Sequence, residues 1–168
     1  MSKFLSLVSG RIKEVVAIVS SIGTSDAGKI IATDASGRID QSFMPVGIGA
    51  ETKAILASEN ISGGDLVNIW SNSGVVSIRK ADASTSGKEA NGFVLDAVAS
   101  GTIGSVYLEG SITGLSGLVV GRYYLSDTFP GGMTATPVVG AGKVHQYIGV
   151  AHSASELSFE ADDAIILA

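Results

Sequence analysis

From about Ala50 onward, short apolar runs recur between clusters of Gly, Ser, Asn and Asp, at a spacing that suits strands and leaves no room for long helices. The runs TKAILA, DLVNIW, VVSIRK, GFVLDAVA, SVYLE, RYYLS, KVHQYIGVA and AIILA predict strands. Gly63-Gly64, Ser73-Gly74, Gly131-Gly132 and the Gly140 to Gly142 segment predict the turns between them, where positive φ is tolerated. The densest example is residues 105–132, SVYLEGSITGLSGLVVGRYYLSDTFPGG, in which only Glu109, Arg122 and Asp127 are charged. Strand, turn and strand punctuated by glycine read as antiparallel structure that displays a surface or packs against other copies. The whole pattern predicts an all-β fold, a compact β-barrel or β-sandwich body. Ile61-Ser62-Gly63 with Leu66, Val67 and Trp70 loosely echoes Ile112-Thr113-Gly114 with Leu118, Val119 and Tyr123, the trace a duplicated β unit would leave.

The first 47 residues differ. KFLSLV and RIKEVVAIVSSI are rich in β-branched residues, which favours strand, yet Leu5, Val8, Ile12, Val15, Val19 and Ile22 also sit at helical spacing. The two periods conflict and leave the local structure undecided. Next, KIIATD and GRID flank an Ala-Ser-Gly turn and predict a small hairpin, with Pro45 closing the segment. Too little sequence lies here for a second core. We therefore divide the chain into an extended N-terminal arm, residues 1–47, and a β body, residues 48–168, and expect the arm's apolar side chains to need another surface.

Composition supports a part of an assembly. Of the 168 residues, 16% are charged, against about 25% in a typical domain, and mean hydropathy is +0.39. The longest apolar run, Val15 to Val19, is far short of the roughly 18 residues a spanning helix requires, so no membrane partner is expected. The opening MSKFLSLVSGRIKE has its apolar stretch interrupted by Arg11, Lys13 and Glu14 and is read as retained. Absence of cysteine excludes disulfides and thiol chemistry and fits synthesis in a reducing cytoplasm. The arm holds five basic and four acidic side chains and the body six basic and twelve acidic. An acidic body argues against nucleic acid, which demands clustered Lys and Arg.

Candidate chemistry is sparse. Gly23-Thr24-Ser25-Asp26-Ala27-Gly28-Lys29 matches a phosphate-binding loop, but Ile30 stands where the Mg²⁺-binding hydroxyl belongs and IIATDASG reads as strand and turn where a helix should start. A plain turn is the better reading. His145 and His152 are seven apart in KVHQYIGVAHS, an odd spacing that points them to opposite faces of one continuous strand. Glu160, Asp162 and Asp163 lack a calcium-loop pattern and read as a solvated turn before the last strand. No G-x-S-x-G occurs, and nothing selects a carboxylate pair for glycoside cleavage. We expect no enzyme activity, no cofactor and no metal. Trp70, Tyr107, Tyr123, Tyr124 and Tyr147 suit either a carbohydrate platform or core and subunit contacts.

The segments AGKIIATDASGRIDQSFMPVGIG, LASENISGGDLVNIWSNSGVVSIRKADAS and LEGSITGLSGLVVGRYYLSDTFPGG resemble tailed-bacteriophage structural proteins, particularly the head decoration (cement) family, with related Gly-rich segments in phage fibre proteins. Tyr123 to Thr134 is the most specific portion and GKIIATDASGRID the next. The resemblance implies a virion protein on the outer surface of the capsid, a homotrimer that binds the major capsid protein and links neighbouring capsomers. The expected buried contacts, chosen for apolar character, are Phe4, Leu5, Val15, Val16, Ile30, Ile31 and Phe43. The alternative is a fibre or tail-tip module that binds host-surface glycan through Trp70 or the Tyr123-Tyr124 pair; a glycan hydrolase ranks last.

Overall fold

Side chains that alternate across a strand can serve two cores at once, and the body is built on that property. The computed structural model describes residues 3–8, 10–35, 37–44 and 51–168. Its strands are β1 (Lys3–Val8), β2 (Arg11–Val16), β3 (Thr52–Ala57), β4 (Leu66–Asn72), β5 (Val75–Lys80), β6 (Gly92–Phe93), β7 (Ile103–Tyr107), β8 (Gly110–Thr113), β9 (Gly121–Leu125), β10 (Met133–Thr134), β11 (Val144–His145), β12 (Tyr147–Ser153), β13 (Glu156–Phe159) and β14 (Ile165–Ile166). Single 3-10 turns occupy Thr24–Asp26 and Gln41–Phe43. The fold is all-β. The chain divides into two units, Met1–Gly49 and Ala50–Ala168.

In the second unit β3, β5, β4, β6 and β7 close a barrel in that order. Closure comes from β3, which pairs antiparallel with β7 and parallel with β5. Beside the barrel strands, β10, β9, β12, β13 and β8 form a five-stranded antiparallel sheet, and β11 pairs with β14. Neighbouring residues Leu66 and Val67, Phe93 and Val94, and Tyr107 and Val106 point to opposite faces. Val67, Val94 and Val106 fill the barrel with Ile78 and Val98. Leu66 and Phe93 face outward, where Phe93 stacks on Tyr107 at 5.3 Å and meets Phe159 of the sheet at 5.4 Å. Barrel and sheet thus share a second core, completed by Ile112, Leu125, Ile148 and Leu157. Body turns follow glycine chemistry: Ser73 and Gly74, at φ 53° and 88°, join β4 to β5, the both-positive pattern that matches strand twist in a two-residue hairpin.

Several predicted strands are redrawn. GFVLDAVA is strand only at Gly92–Phe93, because Val94 N–H donates to the Asp65 carbonyl and Val98 makes an isolated bridge to Ile61, which takes the chain out of the ladder. KVHQYIGVA is not one strand. It breaks at the buried Gln146, so His145 lies on β11 and His152 on β12, in different sheets, and the opposite-faces argument loses its premise.

In the first unit the strand reading prevails over the helical one. β1 and β2 form a two-stranded antiparallel ribbon with Phe4 opposite Val15, Leu5 opposite Glu14 and Leu7 opposite Ile12. The predicted KIIATD and GRID hairpin has its turn without its strands. Asp34 and Arg38 close a loop, Arg38 N–H donating to Asp34 Oδ1 at 2.9 Å and Asp34 N–H to the Arg38 carbonyl at 2.8 Å. Ile31 instead bridges Ile18 in parallel. Ser36 of that turn, and Pro45, lie outside the described residues.

Candidate functional site

Directly paired residues of an antiparallel ribbon share a face. One face of the β1–β2 ribbon therefore carries Leu5, Leu7, Ile12 and Val16, together with Lys3 and Glu14, which form an ion pair at 2.7 Å. The other carries Phe4, Val15, Ser6 and Lys13. The two faces differ in cover. Leu5, Leu7 and Ile12 are 77%, 72% and 73% exposed, whereas Phe4 is 43% exposed and Val15 is half-buried. Among the described residues of this unit only Ala17 is buried, so these side chains have no local core to enter.

The predicted contact residues are thus distributed as follows. Phe4 and Val15 meet across the ribbon; Leu5 and Val16 lie on its barer face. Ile30 and Ile31 flank the bridge to Ile18, whose N–H donates to the Ile30 carbonyl at 2.9 Å, with Ile30 half-buried and Ile31 exposed. Phe43 is half-buried in the second 3-10 turn, which Ser42 ties to Ser21 through a 2.7 Å bond from the Ser21 N–H. Leu7 and Ile12 belong with Leu5 and were missing from the predicted contact set. The signal that finds them is the strand register, which the tie between helical and strand periods concealed.

The aromatic candidates separate. Tyr123 is buried, and its hydroxyl accepts the Val119 N–H at 2.9 Å, which places it in the core and removes it from any exposed platform. Its neighbour Tyr124 points to the opposite side of β9, 5.1 Å from the His145 ring and 6.2 Å from Tyr147, and Arg122 lies over Tyr147 at 5.7 Å. Tyr123 and Tyr124 therefore do not act as a pair. Trp70 lies half-buried on β4, with the Arg79 guanidinium 4.4 Å from its ring centroid and its Nε1 donating to Ser58 Oγ at 3.3 Å.

The Gly23 to Lys29 loop is a closed turn. Asp26 Oδ2 accepts the Ile22 N–H at 2.6 Å and Asp26 Oδ1 pairs with Lys29 Nζ at 2.5 Å, while the N–H groups of Asp26, Ala27 and Lys29 donate within the turn. The Lys29 bond, then the Ile22 N–H, hold the Asp26 carboxyl below the usual carboxylate range. A loop whose lysine is already paired with its own carboxylate, and whose N–H groups at Asp26, Ala27 and Lys29 donate within the turn, is poorly suited to cradle phosphate. His152 Nε2 shares a 2.9 Å hydrogen bond with Ser158 Oγ. Among the described residues no group of three or more His, Asp or Glu is placed to hold a metal ion. Glu160, Asp162 and Asp163 are exposed in the connection before β14.

Comparison of the chain with protein-family models, with curated proteins and with solved structures finds no match.

Proposed function

We propose that the chain is a non-enzymatic structural virion protein that decorates the mature head of a tailed bacteriophage and stabilises it by bridging neighbouring capsomers, as a trimer on the outer capsid surface. The observation that carries this reading is the ribbon face of Leu5, Leu7 and Ile12, each more than 70% exposed. A ribbon that has two strands among the described residues is marginal in water, and it gains both apolar cover and backbone partners by docking on another protein's sheet or groove. The body has two internal cores of its own, whereas among the described residues of the first unit only Ala17 is buried, so the ribbon's apolar side chains have no such core to enter.

Three ribbons presented by one trimer bind with an avidity that one ribbon lacks. A protein that binds only the expanded shell stabilises that shell by mass action. The test is cosedimentation of the purified chain with expanded phage heads stripped of accessory proteins. Saturable binding in multiples of three around symmetry axes is expected. A chain that stays in the supernatant at every head concentration overturns the proposal.

A further inference from the structure

We propose that the body also carries a carbohydrate-binding cleft built on Trp70, separate from the ribbon on which the decoration reading rests. Trp70 is the only tryptophan of the chain. On β4 the residues Val67 and Ile69 pack with the barrel interior, so Asn68, Trp70 and Asn72 alternate to the outside. There Trp70 and Asn72 line a surface cleft of about 450 Å³ together with Glu59, Arg79, Asp82 and Lys88. That volume falls in the range of about 300–1,000 Å³ usual for small-molecule sites.

The indole is held in place before any ligand arrives. Arg79 lies over one ring face at 4.4 Å and is itself fixed, its Nε donating to Asn68 Oδ1 at 2.9 Å and its Nη2 to the Gly87 carbonyl at 2.6 Å. Asn68 is anchored in turn by its amide bond to the Glu89 carbonyl at 2.8 Å. With the Ser58 bond to Nε1, the side chain has little rotamer freedom left to lose on binding, and preorganisation of this kind raises affinity. With Arg79 over one face, the opposite face of the indole, with its negative quadrupole, is the one that would take the positively polarised C–H edge of a pyranose ring.

The polar groups around it define the rest of the ligand. Glu59 Oε1 accepts the Lys80 N–H at 2.7 Å, which ties the carboxylate to the cleft wall. The Asn72 amide, the Asp82 carboxylate and the Lys88 ammonium complete a mixed donor and acceptor rim. The charges cancel. Lys80 pairs with Asp65 at 3.1 Å and Lys88 faces Asp82 at 3.9 Å, which leaves one cation, Arg79, and one carboxylate, Glu59, among the lining residues. A cleft with an aromatic floor, a hydroxyl-matching rim and no surplus charge takes a neutral oligosaccharide in preference to an anionic one.

Because Trp70 is the single tryptophan, its emission reports on this cleft alone. The full chain is titrated with neutral hexasaccharides of glucose and of N-acetylglucosamine, up to about 10 mM, ten times the 1 mM dissociation constant that corresponds to roughly 4 kcal/mol of binding. A saturable shift of the emission to shorter wavelength is expected, at least fivefold weaker in affinity for Asn72→Ala, which keeps the reporter. Trp70→Ala should abolish the binding heat in calorimetry. A flat emission curve with every neutral saccharide overturns the proposal, as does binding that Asn72→Ala leaves unchanged. Binding of hexuronates alone overturns the neutral assignment. A Trp70→Ala chain that loses its oligomeric state, from a parent that binds no saccharide, makes Trp70 a subunit contact and refutes the cleft.

Discussion

Replacing Leu5 by Lys and Ile12 by Thr in one chain removes two of the four apolar side chains of the barer ribbon face without dismantling the ribbon. Leu5 sits opposite Glu14, so a lysine there faces and shares the carboxylate that Lys3 already holds at 2.7 Å, and Thr keeps the β-branch that favours strand. Both side chains are about three-quarters exposed, at 77% and 73%, so the free chain loses little packing. Full burial of a Leu or Ile is worth about 1.5–3 kcal/mol. Scaled by the exposed fraction, docking of these two contributes about 2.3–4.5 kcal/mol, and their loss should weaken binding to expanded heads by roughly 40- to 1,600-fold per ribbon. The assay is the cosedimentation isotherm, with urea unfolding as control, where the body should change by less than about 0.5 kcal/mol. Val139 is 76% exposed on the body, and Val139→Thr should leave the isotherm unchanged, which separates docking from general stickiness. A doubly substituted chain that reaches full occupancy within threefold of the parent concentration refutes the ribbon as the docking surface.

Other substitutions test the body. Gly149 lies at φ 153° in the β12 bulge, and a Cβ there would collide with the Ser158 carbonyl, so Gly149→Ala should cost about 3–5 kcal/mol in urea unfolding; a loss under about 1 kcal/mol contradicts the geometry. Gln146 is buried and clamps Ala90, accepting its N–H at 2.8 Å and donating to its carbonyl at 3.0 Å. Gln146→Leu should therefore cost about 2–4 kcal/mol from the orphaned backbone groups, and an equally stable variant would show that water replaces the clamp. The hydrogen bond from Lys143 at 2.6 Å holds the Asp127 carboxyl below its ordinary value. Its contribution is complete above the unfolded value of about 3.9 and is lost as pH falls through the lower folded one. The stability gap between parent and Asp127→Asn, under about 1 kcal/mol for a partly exposed pair, should hold from about pH 7 to 5 and shrink as pH falls below the ordinary carboxylate value of about 3.9; a gap that widens on acidification contradicts the sign.

The barrel strands were legible because each carries its own signal. VVSIRK has apolar residues, a flanking Ser-Gly turn and strand length together, and it is β5 from first to last residue. β8, β10 and β13 were not, because their identity lies in their neighbours. ELSF has only Leu157 and Phe159 to bury, and it is a strand because β12 and β8 pair with it on both sides. The tie over residues 3–16 had the same cause. Spacing alone fits both periods, and pairing of Lys3 through Val8 with Val16 through Arg11 decides. At the candidate surfaces, Trp70 was visible as an aromatic, but its setting was not. Ser58, Asn68 and Arg79 reach it from separate parts of the chain, and only the barrel register brings Arg79 opposite Asn68. Tyr123 and Tyr124 show the reverse. Adjacent in sequence, they read as a pair, and strand alternation sends one into the core and the other out.

The same alternation has opposite consequences in the two units. In the body both faces of β4, β6 and β7 meet apolar partners at Leu66 and Val67, Phe93 and Val94, and Val106 and Tyr107. In the β1–β2 ribbon no apolar side chain is buried among the described residues, and an exposed apolar ribbon is an aggregation hazard. The ribbon's charges answer that hazard. Lys3, Arg11, Lys13 and Glu14 are interleaved with the apolar positions along both strands, where like-charged neighbours oppose open-ended stacking of ribbon on ribbon. Leu5, Leu7 and Ile12 stay together on one face between the Lys3–Glu14 pair and the turn. A surface guarded against indefinite self-association, yet contiguous on one side, fits a partner of fixed shape better than it fits more copies of itself. For that reason the ribbon, and not the larger body, is where loss of two side chains should decide whether the protein docks.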